Sequence, residues 1–175
     1  MNADGKLMDM LTGYAASHQH PFNIFVHMIG IPTIMLGVLI PLTWVGFEVS
    51  GFRIELAHLL LLGFFLFYVT LDVIFAVVFA IASYGLLLLA QKLGATPGNT
   101  GWYIAAACFF GGYIAQFVGH AVEKSMPVLV KHPIQANLAA PFFTVVELFK
   151  IVGLRDGLFN AVQEQIELER RQKAA

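Results

Sequence analysis

Charge is what this chain has least of. Only 12% of its 175 residues are Asp, Glu, Lys or Arg, about half of the roughly 25% with which a soluble domain covers its surface. With 58% hydrophobic residues and a mean hydropathy of +0.76, this excludes a soluble globular enzyme and a disordered regulator. Ten basic against eleven acidic residues leave a net charge of −1. There is no basic stripe, and so no electrostatic footprint for nucleic acid. Cysteine is almost absent: Cys108 stands alone in an apolar run, which excludes an internal disulfide and a thiolate metal cluster. The N-terminus lacks the pattern of a cleaved signal peptide. Asp4 and Asp9 accompany Lys6, and the apolar stretch starts only near Phe22, so the first span is expected to be retained. What remains is one integral membrane domain over residues 1–175.

The long apolar runs predict an all-α, polytopic membrane bundle. No charged residue occurs between Asp9 and Glu48, and 23–47 is long enough to cross a bilayer at about 20 residues per span. A polar loop is expected over 48–53. From Leu56 to Gln91 the only charge is Asp72, which suits two spans, 55–69 and 73–92, with the turn at Thr70 to Asp72. The breaker cluster 94–101 precedes a fourth span, 102–120, opened by the interface aromatics Trp102 and Tyr103. The segment 126–154 holds Lys131, Pro133, Pro141, Glu147 and Lys150 and is expected to be interfacial or re-entrant. Over 156–173, Leu158, Val162 and Ile166 recur every four residues among polar ones, as in an amphipathic helix lying on the membrane or on the domain itself.

With four spans, Lys6 and the seven basic residues from Lys124 to Lys173 fall on one side, Arg53 and Lys92 on the other. The positive-inside bias then places both termini in the cytoplasm. On that side lie His18, His20 and His27 at the start of span one, His120 at the end of span four, and the turn carrying Asp72. Asn23 and His27 are four residues apart and share a helix face; so do Gln116, His120 and Glu123. Imidazoles from separate helices can converge on a metal, with amides and carboxylates ligating or holding the ring N–H groups. Without a thiolate, Fe(II), Zn or Mn suits such a set.

Plainer roles compete with this one. An interfacial histidine is commonly just an amphipathic residue at the headgroup level, His20 and His132 most of all. Asp72 fits a helix cap. Zinc in the same residues would make an interfacial lipid hydrolase, His27 and His120 could be axial ligands of a haem, and a lipid carrier would need none of them.

Two blocks carry a resemblance. The first is H-x4-N-x3-H-x4-P, His18 to Pro32; the second is Q-F-x-G-H-x2-E-x3-P, Gln116 to Pro127. Together, and in span order, they resemble the membrane 2-hydroxy fatty acid dioxygenase family known from yeast, with bacterial relatives. The resemblance implies an Fe(II)-dependent enzyme that removes one carbon from a fatty-acyl substrate with O2. It implies His18, His27 and His120 as ligands and Glu123 as a fourth ligand or an acceptor beside them. Asn23 and Gln116 would orient these groups, and His20 would be accessory. The yeast pattern has one more residue between the second-block histidine and the glutamate, and a basic pair where Ser125 and Met126 stand here. If that basic pair meets a substrate carboxylate, Lys124 must do so alone here, or the substrate differs. The second block reads closer to the bacterial form, which implies a bacterial inner membrane, with the endoplasmic reticulum as the alternative for a eukaryotic chain. Oligomeric state is not legible.

Overall fold

The structure is a computed structural model that describes residues 3–174. Eight helices and one hairpin follow in order: α1 Ala3–Ala15, α2 Pro21–Trp44, β1 Gly46–Val49, β2 Phe52–Glu55, α3 Leu56–Val69, α4 Val73–Gly94, α5 Thr100–Glu123, α6 Val128–Lys131, α7 Pro133–Ile151 and α8 Asp156–Ala174. The fold is all-α apart from the hairpin. Four helices, α2, α4, α5 and α7, are long and apolar enough to cross a membrane.

Helices α2 and α4 run in one direction, α3 and α5 in the other. At the hairpin end, Trp44 Nε1 donates to Gly94 O at 2.9 Å and Gln91 Nε2 to Glu55 Oε2 at 2.9 Å. The tightest seam is between α2 and α5. A Cβ at Gly37 would lie 2.6 Å from Phe109 N and 2.8 Å from Ala105 O, so only a hydrogen fits. Without a hydrophobic force between helices in lipid, close backbone approach over small residues is what holds such a pair. Outward, Phe25, Ile81, Phe110 and Ile114 are exposed, as a lipid-facing surface requires.

One segment differs from the sequence expectation. The first span stops at Trp44 instead of 47, because residues 46–55 pair as an antiparallel hairpin with Gly46 opposite Glu55. Its two-residue turn puts Ser50 at φ 51° and Gly51 at φ 82°, the backbone twist that matches paired strands. This replaces the expected polar loop. Helix α3 has 14 residues, about 21 Å, short of a hydrocarbon core of about 30 Å. The segment 126–154, expected to be interfacial or re-entrant, holds the short α6 and α7, a helix of 19 residues. Pro133 is tolerated at its first position, where no N–H bond is lost, and Glu147 turns inward beside Lys150 at 3.5 Å.

Both flanks of α7 are tied to the end of the bundle opposite the hairpin. Before it, the chain leaves α5 at Glu123; after it, Arg155 pairs with Asp72 at the start of α4. Between them Phe142 packs on Tyr68 and Phe75, and Phe143 on Tyr14 and His18. Helix α8 lays Val162 and Ile166 into the same buried cluster as Leu7 and Leu11 of α1. Of the two surfaces open to its apolar stripe, it covers the domain's own.

Candidate metal centre

The two motif blocks meet where α2 begins and α5 ends. His20 caps α2 by accepting from Phe22 N at 3.2 Å, with Pro21 at the first helical position. That start puts Asn23 and His27 on the face toward α5. Just before it, a tight turn (His18 N to Ala15 O, 3.0 Å) folds His18 back over the same face. Helix α5 stops at Lys124, which takes the left-handed conformation at φ 57°. Ser125 N then bonds His120 O at 3.1 Å, so Ser125 lies beside His120.

His18, His27 and His120 are all buried, their ring centroids 4.4, 4.8 and 4.9 Å apart. One nitrogen from each falls within 4.8 Å of the others. The hydrogen bonds decide which. His18 Nδ1 contacts Tyr14 O at 2.7 Å and His27 Nδ1 contacts Asn23 O at 2.9 Å. A carbonyl only accepts, so both Nδ1 atoms carry the proton and both Nε2 atoms bear the lone pair. Ser125 Oγ donates to Ser17 O at 3.3 Å and lies 2.9 Å from His120 Nδ1, which Asn23 Nδ2 also approaches at 3.5 Å. His18 Nε2 is buried with no partner. A bare, buried imidazole lone pair beside two further imidazoles could hold a metal ion, and ring N–H groups held by carbonyl oxygens are the usual support of such ligands. Burial, reinforced by His27, pushes the His18 pKa down to about 3, so this ring is neutral and able to ligate at any ordinary pH. The arrangement excludes a haem between His27 and His120: rings 4.9 Å apart leave no room for a macrocycle.

Asn23 and Glu123 tie the two helices behind the rings. Asn23 Nδ2 donates to Glu123 Oε2 at 2.5 Å and to Ser17 O at 3.3 Å. The other carboxylate oxygen accepts from Gln19 N at 2.8 Å. Glu123 thus spends both oxygens on hydrogen bonds and stands outside the close group of nitrogens.

A cavity of about 210 Å³ opens from the histidines into the bundle, between α2, α3 and α5 and under α6 and α7. Tyr14 and Gln116 line it near the rings, and Tyr113 lies two turns before His120 on α5, level with Ile34. Ile34, Met35, Val38, Leu39, Leu60 and Phe64 line the rest. At its rim Tyr113 OH donates to Asn137 Oδ1 at 3.0 Å, joining α5 to α7.

The family model for 2-hydroxy-palmitic acid dioxygenase, Mpo1-like, matches residues 5–151. The chain belongs to the Mpo1-like family. It is 30% identical over 166 residues to the 2-hydroxy-palmitic acid dioxygenase MPO1 of Saccharomyces cerevisiae, covering 94% of this chain and 92% of that protein. No solved structure matches.

The family match spans α1 to α7, and with them every residue that frames the rings and the cavity; α8 lies beyond it. Of the residues singled out by sequence, His18, His27, His120, Asn23, Glu123 and Gln116 come together. His20 and Asp72 do not: His20 caps α2, and Asp72 caps α4 by accepting from Phe75 N at 3.0 Å while pairing with Arg155. Lys124 is exposed and outside the cavity lining. Tyr14 and Ser125 were missed as site residues. Tyr14 stands four residues before His18 as Asn23 stands four before His27, and that repeated spacing is the signal for it. Tyr14 also stacks on the His18 ring at 4.1 Å and 2°. Ser125 has no such signal, because it reaches His120 only through the left-handed turn at Lys124.

Proposed function

We propose that this chain is an Fe(II)-dependent membrane dioxygenase that converts 2-hydroxy fatty acids to acids one carbon shorter. The observation that carries this reading is where the rings and the cavity meet. Three neutral imidazoles stand at one end of a cavity whose other end is wholly apolar, the two halves of a fatty acid with a ligating head. The family's named activity, on a 2-hydroxy acid, supports the same substrate class.

The overall reaction balances without a further reductant. One O2 accepts four electrons; three come from the hydroxyl-bearing carbon as it becomes a carboxyl carbon, and one from the old carboxyl carbon as it leaves as CO2. The bond between these carbons breaks, and one water is formed. Iron, held by His18, His27 and His120, would supply O2 activation, three imidazoles leaving three positions of an octahedral ion for substrate and O2. The protein's part is orientation and exclusion. Tyr14 O, Asn23 O and Ser125 fix the three rings. Glu123 and Asn23 hold α2 to α5, keeping His27 and His120 in register. Gln116 offers an amide where the head group lies, and the apolar walls keep water from the chain. Lys124, exposed, is free to attract a carboxylate at the membrane surface without entering the site. The basic excess assigns the histidine end to the cytoplasmic face of a bacterial inner membrane.

Metal analysis of detergent-purified protein prepared anaerobically, wild type beside His120→Ala, tests this. Near-stoichiometric iron lost in the variant, with O2 uptake and a C15 product from 2-hydroxypalmitate, is expected. Zinc with esterase activity, or no metal after iron supplementation, would overturn it.

A further inference from the structure

The deepest stretch of the cavity is lined only by apolar residues. On α2 the lining runs from His27 through Ile31, Ile34, Met35 and Val38 to Leu39, and no residue of α2 beyond Leu39 takes part. Twelve residues of helix separate His27 from Leu39, about 18 Å, close to one leaflet's share of a hydrocarbon core of about 30 Å.

Tightly packed parts of the bundle stand at the far end. Gly37, next to Val38, is pressed against the α5 backbone at Ala105 and Phe109, so no gap opens between those helices there. Leu39 is fully buried. Phe64 reaches in from α3 and is backed by Tyr68 and Phe79, at 5.7 and 6.0 Å between ring centroids.

We infer that Val38, Leu39, Leu60 and Phe64 form a stop that sets the longest acyl chain the site accepts. This rests on the reading of the substrate as a 2-hydroxy fatty acid. Below the stop each added methylene is buried and binding strengthens about fourfold. At the stop the gain ends, because a longer chain must fold back or pull its head away from the histidines.

The test is displacement of a fluorescent fatty acid from the full-length protein in detergent by saturated 2-hydroxy acids from C10 to C20. Val38→Phe and Leu60→Phe add bulk at half-buried positions and leave the tight α2–α5 seam alone. Wild type is expected to gain about fourfold per methylene up to a plateau length. Both variants should reach the plateau about two carbons earlier, costing the longest acids about 15-fold while the shortest bind as in wild type. Leu39→Ala should move the plateau the other way. An unchanged plateau in both Phe variants, or an equal loss at every length, would overturn the stop and leave the substrate reading standing. Failure of wild type to bind any of the acids would overturn both.

Discussion

Asn23 joins the two halves of the site through separate atoms. Its side-chain amide donates to Glu123 across the α2–α5 seam, while its backbone carbonyl accepts the Nδ1–H of His27. One residue therefore sets both the spacing of the helices and the tautomer of a ring.

From this follows a prediction for Glu123→Gln. A glutamine offers one acceptor and turns its NH2 toward one of the two donors that the carboxylate now satisfies. The rings keep their own partners, so iron should still load to full occupancy at saturation, with affinity down about 10- to 100-fold. Iron titration followed by metal analysis measures it. Complete loss of iron would instead make Glu123 a ligand.

Gly119 lies against the same amide. A Cβ there would collide with Asn23 Oδ1, whereas one at Gly111 meets nothing within 4 Å. Gly119→Ala should cost about 1–3 kcal/mol of stability and lower iron affinity. Gly111→Ala should be neutral or slightly stabilising. Thermal unfolding in detergent with and without iron separates the two.

Asp72 and Arg155 serve the fold. Arg155 pairs with Asp72 and lies over the Phe75 ring at 4.6 Å, pinning the α7–α8 junction to α4. Loss of the cap and of a partly exposed pair in Asp72→Ala should cost about 1–2 kcal/mol. Turnover per bound iron should be unchanged. A large fall in turnover with normal stability would place Asp72 in the reaction.

The pH dependence follows from His18. Its pKa falls from 6.5 to about 3 on folding. Between those values the unfolded chain binds a proton that the folded chain does not, so stability is lost as pH falls from about 6.5 toward 3, by up to about 1.4 kcal/mol per pH unit. Metal-free protein should melt earlier at pH 5.5 than at pH 7.5, and His18→Phe should remove part of that difference. Equal slopes in both proteins would show that His18 is not held neutral by burial.

Helix class was legible from absence of charge, because a bilayer offers no water to unpaired backbone and long apolar runs must close their hydrogen bonds internally. His18, His27 and His120 were legible as a group from the two blocks at one membrane depth. The hairpin was not: Val49-Ser50-Gly51-Phe52 lacks the Asn-Gly or Asp-Gly that announces such a turn, and its strands are only four residues each.

By itself, then, the sequence determined an all-helical membrane chain and three imidazoles at a common depth, since hydropathy and helical spacing are local properties. Which nitrogen of His18 and of His27 is bare depends on Tyr14 O and Asn23 O, and Ser125 reaches His120 only through the left-handed turn at Lys124, which tertiary structure decided. The cavity is likewise a property of packing. Ile34, Val38, Leu39, Leu60 and Phe64 are ordinary apolar residues in sequence, and become the wall of one space only because small residues draw α2 onto α5 while α3 stands apart.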